Sequence, residues 1–373
     1  MESKGNAVEH TQSKELNEVN SFDFKLLTEK DRLPEQFIWS SKDLVEGSSE
    51  KLNAPLIDLK AIKDDEAAMA TAVELVRKGC MKHGFFEVTN HGMDPLLISA
   101  AHQQFDSIFN LPMTKKFSAK TSVWGYSSGH AERFSSDLPW KETFTYRYNY
   151  IPKSQSQVVD FLKSVLGEDF HHAGLVNQRY CEAMKEISMV ILELLAISLG
   201  IDHSHFQRFF EDGEAIMRCN CYPPCNRSSL TLGVGPHCDP TSITILHHDQ
   251  VPGLEVYVDD KWLAVPPRPE APDAFIINIG DTFMALSNGV YKSCLHRVLV
   301  NGEVKRKTLT FFLNPRGNKI VRPPHDLYDN EEERKYPNFR WLELFEFTQK
   351  HHRADPNTLP DFVSWLRSSK PSN

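Results

Sequence analysis

The sequence predicts an α+β fold in which helices surround a C-terminal β core of the sandwich or jelly-roll type. Amphipathic helical patterns occur at intervals between residues 66 and 200 and return near the end of the chain. Between them lie short β-branched runs separated by Pro, Gly and Asp, a spacing typical of sandwiches and jelly rolls. These runs occupy residues 230–232, 242–246, 253–258, 275–279, 297–300 and 309–313.

The N-terminal half predicts three helices and one strand. A helix over residues 66–80 follows an aspartate start signal, and Gly84 marks its end. Residues 85–89 predict a strand, and Pro95 opens a second helix. Residues 121–150 are aromatic and rich in serine, which indicates a loop. A long helix passes through residues 180–195 and ends at Gly200.

These patterns divide the chain into four regions. We expect a polar, partly disordered N-terminal tail over residues 1–50 and an N-terminal helical and strand region over residues 51–205. The β core follows over residues 213–315, and residues 316–373 form a C-terminal helical extension with apolar patterns near residues 341–347 and 362–366.

Composition excludes several classes of protein. A net charge of −8 over 373 residues argues against a nucleic-acid binder. The cysteines number seven, which is odd, and most of them lie in apolar or strand-like sequence, which favours a reducing compartment over a secreted disulfide framework. The first twenty residues lack the apolar core of a signal peptide, and the longest apolar stretch, at residues 189–199, is too short to cross a membrane. We expect a cytoplasmic protein, also nuclear if it diffuses there, and a monomer, since no coiled-coil heptads occur.

Two histidines and one carboxylate predict a metal site. His237 and Asp239 are two positions apart in strand-like sequence, so both side chains can face one ion while Cys238 points away. His296, on a later strand, would supply the third ligand. Two imidazoles and one carboxylate with open coordination positions are the ligand set of non-haem Fe(II) oxygenases.

A second His-x-Asp pair, His247 and Asp249, could imitate the first by chance. It leads into a turn-like segment, which predicts an exposed strand end, and we therefore favour the pair at residues 237 and 239. An alternative interpretation places zinc on cysteines 219, 221 and 225 with His237 or Cys238 as the fourth ligand, but the spacing does not match the short zinc knuckle.

Arg306 and Thr308 predict a binding site for a carboxylate near the metal. They are again two positions apart, within an apolar run that would bury them. A buried arginine needs an anion, and an arginine with a hydroxyl can hold one. A dicarboxylic cosubstrate that chelates iron at one end and meets Arg306 at the other would explain the whole set.

With these motifs the chain resembles the plant 2-oxoglutarate- and Fe(II)-dependent dioxygenases, from about residue 56 to residue 365. The shared motifs are GFFEVTNHG at residues 84–92, NCYPPC at 220–225, the triad and the Arg306 pair. Three further motifs resemble the gibberellin 20-oxidases: LPWKET at residues 138–143, GPHCDPTS at 235–242 and NIGDTFMALSNG at 278–289.

The resemblance implies a double-stranded β-helix core with surrounding helices. It also implies Fe(II) on the triad, 2-oxoglutarate held by Tyr222, Arg306 and Thr308, dioxygen as the oxidant, and ascorbate as a supporting reductant. Cys221 stands where the family usually has tyrosine, and Thr308 replaces the usual serine.

By the same resemblance, the substrate is a gibberellin precursor that is oxidised repeatedly at carbon 20. Candidate pocket residues are Trp140, Lys141, Glu142 and Thr143, with Arg147 as a second cation. Lys141 could instead pair with Glu142 on a solvated loop. Other readings are a gibberellin 3-oxidase or 2-oxidase, a flavonoid oxygenase, or a non-catalytic jelly roll that senses a hormone.

Overall fold

The structure of the chain is a computed structural model. The structure describes residues 22–30, 32–44, 47–121, 123–131, 134–151, 153–350 and 357–369. Within these residues a large and a small β-sheet enclose a cavity, and helices cover the large sheet. This arrangement is the predicted α+β fold with a jelly-roll core.

The large sheet has eight strands in the order β1-β2-β10-β7-β12-β5-β4-β3. All its pairings are antiparallel except β1 with β2. Its strands are β1 (Leu56–Asp58), β2 (Phe85–Thr89), β3 (Gly125–Ser128), β4 (Glu142–Asn149), β5 (Glu214–Tyr222), β7 (Ile243–His248), β10 (Phe275–Ile279) and β12 (Arg306–Asn314).

The small sheet has four antiparallel strands in the order β6-β11-β8-β9. They are β6 (Leu232–His237), β8 (Leu254–Val258), β9 (Lys261–Val265) and β11 (His296–Leu299). A separate pair, β13 (Ile320–Val321) and β14 (Phe339–Arg340), follows the core.

The predicted helices are present. Asp65 and Asp94 cap the helices that begin at residues 66 and 95, each accepting a hydrogen bond from a backbone N–H in the first turn. The helices described are α1 (Phe24–Thr28), α2 (Ala61–Asp64), α3 (Glu66–Lys82), α4 (Pro95–Phe109), α5 (Met113–Ser118), α6 (Gln157–Leu166), α7 (His171–Leu199), α8 (His205–Phe210), α9 (Asp281–Leu286), α10 (Trp341–Lys350) and α11 (Thr358–Ser369). The long helix α7 contacts α3, α4 and α6, and its buried face joins the main core.

Two regions differ from the sequence predictions. Residues 121–150 were expected to form a loop, but they contain β3 and the eight-residue strand β4, which pairs with β5 along its whole length. The N-terminal tail is packed where the structure describes it: Phe24 and Phe37 are buried against Trp140. Residues 1–21 lie outside the described residues.

In the described part of the chain, no helix is both long enough and apolar enough to cross a membrane.

Candidate active site

A cavity of about 490 Å³ lies between the two sheets. The large sheet contributes alternate residues of β5, β7 and β12, as expected where one strand face points inward. Residues from β6, β8 and β11 close the opposite wall. The lining includes Arg218, Asn220, Tyr222, Val234, His237, Asp239, Thr244, Leu246, Leu254, Asn278, His296, Val298, Arg306, Thr310 and Phe312.

His237, Asp239 and His296 meet at this cavity. Their ligand atoms lie within 4.8 Å of one another, and no other group of three His, Cys, Asp or Glu residues in the described ranges has this geometry. The two imidazole rings are 4.1 Å apart between centroids, and His237 Nε2 is 3.6 Å from Asp239 Oδ1. The arrangement fits a small divalent metal ion with two nitrogen ligands and one oxygen ligand.

A β-bulge brings the two histidines opposite each other. His237 pairs directly with His296 across β6 and β11, and the next pair is Val234 with Val298. Three steps on β6 therefore match two steps on β11, so β6 carries one extra residue here. Because of this residue, Val234 and His237 both face the cavity, although residues three apart in a regular strand face opposite sides.

Asp239 reaches the metal site from beyond the strand. β6 ends at His237, so the predicted regular i, i+2 alternation does not continue through Asp239. Its Oδ2 atom accepts a hydrogen bond of 2.6 Å from the buried hydroxyl of Thr244 on β7. This contact fixes the carboxylate with Oδ1 directed toward His237.

Both histidines present an available Nε2 atom. Nδ1 of His237 lies 2.8 Å from the carbonyl of Gly235, and Nδ1 of His296 lies 3.0 Å from the carbonyl of Cys294. A carbonyl can only accept, so Nδ1 carries the proton and Nε2 keeps its lone pair. Burial, together with the neighbouring His296, lowers the pKa of His237 and keeps the imidazole neutral.

The N-terminal segment packs on the same strand. Trp39 donates its indole N–H to the carbonyl of Leu138 at 3.1 Å and lies over Gly235. A Cβ atom at Gly235 would come within 2.2 Å of the Trp39 ring, so only glycine allows this contact. Trp39 thereby forms part of the cavity wall next to Gly235, which precedes the metal ligand His237 by two residues.

Arg306 is buried in the cavity wall with its two terminal nitrogens unused. Its Nε donates to the carbonyl of Val251 at 3.2 Å, and its guanidinium lies 5.3 Å from the centroid of the Tyr222 ring. Nη1 and Nη2 have no hydrogen-bond partner in the described chain. Two unsatisfied donors on one buried cation fit a carboxylate that binds them both.

Tyr222 and Thr308 lie beside Arg306. Tyr222 is the cross-strand partner of Arg306 on β5. Burial raises the pKa of the Tyr222 hydroxyl, while the Arg306 charge and the Thr308 hydroxyl oppose this rise. Tyr222 and Arg306 line the cavity, as does Thr310, the next inward-facing residue of β12. Thr308 is buried behind them and is not part of the cavity lining.

Lys141 also lines the cavity, and Asn220 connects it to β12. Lys141 Nζ donates to Asn220 Oδ1 at 3.3 Å, and Asn220 Nδ2 donates to Thr308 Oγ1 at 2.9 Å and to Thr310 Oγ1 at 3.3 Å. The alternative pairing of Lys141 with Glu142 on a solvated loop is wrong, because Lys141 is buried and Glu142 pairs elsewhere.

Other substrate candidates lie away from the cavity lining. Glu142 is buried on the opposite face of β4, between Lys116 Nζ at 2.5 Å and the Tyr126 hydroxyl at 2.6 Å. Trp140 packs under the N-terminal segment and donates to the carbonyl of Pro223. The remaining two are Thr143, which is buried opposite Asn220 in the β4–β5 register, and Arg147, which is solvent-exposed near Glu214.

The second His-x-Asp pair lies at the end of β7, as predicted, but it is not exposed, because His247 is buried and Asp249 is half-buried. His247 contacts His102 at 2.8 Å between ring nitrogens and Pro272 O at 3.1 Å, away from the cavity. The zinc reading also fails: Cys219 and Cys221 lie in the main core, and Cys225 belongs to a separate cluster. All seven cysteines lie in the described ranges, and none of them forms a disulfide there.

Several cavity residues were not predicted from sequence. They include Thr244, Asn220 and Arg218, which alternate along their strands with residues of the main core. This alternation indicates a cavity-facing position only when the neighbouring strands are known. Arg218 donates to Thr145 Oγ1 at 3.2 Å and lies 5.5 Å from the Phe312 ring centroid. Phe312, with Trp341 and Phe345 from α10, forms an aromatic end of the cavity.

Two family models match the chain. The 2OG-Fe(II) oxygenase superfamily matches residues 213–315, and the N-terminal region described as non-haem dioxygenase in morphine synthesis matches residues 54–163. The first range contains the triad and Arg306; the second contains LPWKET.

Similar proteins match over nearly their whole lengths. Gibberellin 20 oxidase 3 of Arabidopsis thaliana is 47% identical over 369 residues, which cover 96% of each chain. Gibberellin 20 oxidase 1-D of Triticum aestivum is 47% identical over 92% of this chain and 96% of its own.

Solved structures share the fold. JOX2 in complex with 2OG, Fe and JA superposes with a TM-score of 0.77 at 29% identity, covering 92% of this chain and 97% of the other. The rice dioxygenase for auxin oxidation gives a TM-score of 0.69 at 25% identity, covering 83% and 99%. The metal set, the family models and the full-length relatives agree, and the chain belongs to the 2-oxoglutarate- and Fe(II)-dependent oxygenases, in the group of the gibberellin 20 oxidases.

Proposed function

We propose that this protein is a gibberellin 20-oxidase, which oxidises carbon 20 of twenty-carbon gibberellin precursors in successive rounds. The observation that carries the proposal is identity of 45–47% to gibberellin 20 oxidases from Arabidopsis, wheat and rice, over 90–96% of the chain. Fe(II) and 2-oxoglutarate are its cofactor and cosubstrate.

His237, Asp239 and His296 would hold Fe(II). Their donor set of two nitrogens and one oxygen suits this ion, and it leaves coordination positions for other ligands. Bound iron would supply the oxidation chemistry, using dioxygen and the decarboxylation of 2-oxoglutarate to succinate. The Gly235 and Cys294 carbonyls and the Thr244 hydroxyl would keep the three ligands oriented.

Arg306 would bind the distal carboxylate of 2-oxoglutarate through Nη1 and Nη2. The support is the pair of unsatisfied buried donors facing the same cavity as the metal ligands. Tyr222 would hold the guanidinium plane from one side, and Thr308 would support Tyr222 and Asn220 from β12.

The rest of the cavity would take the gibberellin precursor. Its volume of about 490 Å³ lies within the range of about 300–1,000 Å³ for small-molecule sites, and aromatic side chains form one end. Lys141, on the wall beside Asn220, would attract a carboxylate of this acidic, apolar substrate. Trp140, Glu142 and Thr143 would then act indirectly, by holding the chain on both sides of Lys141.

We also propose that the protein works in the cytoplasm, with access to the nucleus by diffusion, and as a monomer. The seven cysteines are buried and form no disulfide in the described chain, which suits a reducing compartment. The sequence has no coiled-coil heptads, which fits a monomer.

The decisive experiment supplies the purified protein with a labelled twenty-carbon gibberellin precursor, Fe(II), 2-oxoglutarate, ascorbate and dioxygen. Mass spectrometry should detect the carbon-20 alcohol and aldehyde and then a nineteen-carbon product, with succinate formed in each round. Hydroxylation of a ring carbon with carbon 20 still a methyl group would instead identify a different gibberellin oxidase.

Two variants form a matched pair for this assay. His237→Ala should abolish turnover because it removes a metal ligand, whereas His247→Gln should retain it because His247 lies outside the cavity. Binding of substrate by the wild-type protein without any succinate formation would favour the non-catalytic hormone sensor.

A further inference from the structure

The turn between β7 and β8, residues 249–253, lies against the first residues of β12. It begins with Asp249, the aspartate of the second His-x-Asp pair, which has no place in the metal site. The Asp249 backbone N–H donates to the carbonyl of Lys307 at 3.1 Å. The turn and the strand that carries Arg306 are therefore in direct contact.

This turn provides the hydrogen bond that orients Arg306. The carbonyl of Val251 accepts the Nε–H of Arg306 at 3.2 Å. The guanidinium is planar, so an acceptor at Nε fixes the direction in which Nη1 and Nη2 point. Those two nitrogens have no hydrogen-bond partner among the residues described and are left to face the cavity.

The Asp249 carboxylate holds the turn in this position. Oδ1 accepts the backbone N–H of Val251 at 3.2 Å, and Oδ2 accepts the backbone N–H of Lys307 at 2.6 Å. One oxygen thus fastens the residue that contacts Arg306, and the other fastens the residue after Arg306. Burial raises the pKa of Asp249, and the positive charge of Arg306 opposes the rise, so the charges of the two residues also attract each other.

The end of the turn packs on the stem of Arg306. A Cβ atom at Gly253 would lie 3.3 Å from Arg306 Cδ and 2.9 Å from the carbonyl of Leu299. Any larger residue would push the turn away from the arginine. Contacts from Asp249, Val251 and Gly253 therefore all act on the placement of one guanidinium.

We propose that Asp249 is a positioning residue for 2-oxoglutarate: it sets the Val251 carbonyl that aims the two terminal nitrogens of Arg306 at the cosubstrate. The inference rests on the proposed role of Arg306. Loss of Asp249 would leave the arginine present and charged but less well aimed, because the turn could move away from β12.

The test measures binding of 2-oxoglutarate by calorimetry to the Mn(II)-loaded protein, which requires no turnover. Asp249→Ala should raise the dissociation constant about tenfold, the effect of losing one well-placed hydrogen bond. Asp249→Asn keeps one acceptor oxygen and should fall between wild type and Asp249→Ala. In turnover assays of the same variants, the KM for 2-oxoglutarate should rise while the KM for the gibberellin precursor stays unchanged.

Asp106→Asn is the matched control. Asp106 on α4 contacts the side chains of Lys305 and Lys307, which flank Arg306. It therefore anchors the same end of β12 without touching the turn. This variant should lose stability to heat but bind 2-oxoglutarate as the wild type does.

Three results would count against the proposal in different ways. Unchanged binding in Arg306→Ala would remove the role of Arg306 itself, and with it the basis of the inference. Weak binding in Arg306→Ala but wild-type binding in both Asp249 variants would refute the positioning role alone. Equal losses in Asp106→Asn and Asp249→Ala would show that any loosening of β12 weakens binding, which also refutes a specific role for Asp249.

Discussion

Replacement of Thr244 by valine should weaken metal binding without changing the shape of the cavity. The Thr244 hydroxyl donates to Asp239 Oδ2 at 2.6 Å, and both residues are buried. Valine has nearly the same volume but no donor, so the carboxylate loses its fixed orientation and keeps an unsatisfied oxygen.

The expected size of the effect follows from this single contact. A hydrogen bond to a charged group contributes about 1.5–3 kcal/mol, and every 1.4 kcal/mol changes an equilibrium constant about tenfold. Partial compensation by water or by rotation of the carboxylate would reduce the loss. We therefore expect the dissociation constant for Mn(II) to rise about tenfold to a hundredfold, as is typical when a group that orients a metal ligand is removed.

The assay is a titration of the protein with Mn(II), monitored by calorimetry, and circular dichroism checks that the variant is folded. Thr310→Val is the control, because Thr310 lines the same cavity but contacts Asn220 and Thr308 rather than a metal ligand. A Thr244→Val protein that binds Mn(II) within about twofold of wild type would refute the argument that this hydroxyl orients Asp239.

Three further predictions concern the substrate, the fold and pH. Lys141→Ala should raise the KM for the gibberellin far more than that for 2-oxoglutarate in steady-state assays, since Lys141 lines the cavity; equal changes would remove it from the substrate site. Glu142→Ala should destabilise the protein by about 3–5 kcal/mol in urea unfolding, because it leaves a buried lysine unpaired, and a neutral result would contradict that pairing. Burial lowers the pKa of His102 to about 3 and of His247 to about 4. Below pH 6.5, the ordinary pKa of histidine, these two residues therefore bind more protons in the unfolded chain than in the folded protein. The stability that depends on this neutral pair should be complete above pH 6.5 and fall progressively down to about pH 4 for His247 and about pH 3 for His102, and His247→Gln should flatten this dependence.

The sequence predicted the metal site from residue types, but the reasons for its geometry came from packing. Regular alternation was expected to bring His237 and Asp239 to one face, whereas the structure uses a bulge before His237 and a carboxylate beyond the strand end. Neither feature depends on a local preference of those residues. Both arise from pairing with β11 and from the Thr244 hydroxyl on β7.

Strand β4 shows why other parts were missed. Its sequence, ETFTYRYN, lacks aliphatic β-branched residues and follows a serine-rich stretch, so it resembled a loop. Its stability comes from full-length pairing with β5, an interaction distant in sequence. The second His-x-Asp pair was misplaced for a similar reason: β7 lies inside the sheet between β10 and β12, and α4 brings His102 onto it.

The bulge in β6 makes strand register a functional property of this protein. Some sixty residues separate His237 from His296 along the chain, yet their approach depends on one extra residue between Val234 and His237. A deletion there would turn the His237 side chain to the other face, whereas a change of length between β9 and β10 would leave the pairing of β6 with β11 intact. Insertions and deletions should therefore be tolerated very unevenly along the core. Loss of a single residue at positions 235–236 should damage the metal site more than a longer change in a loop outside the β6–β11 pair.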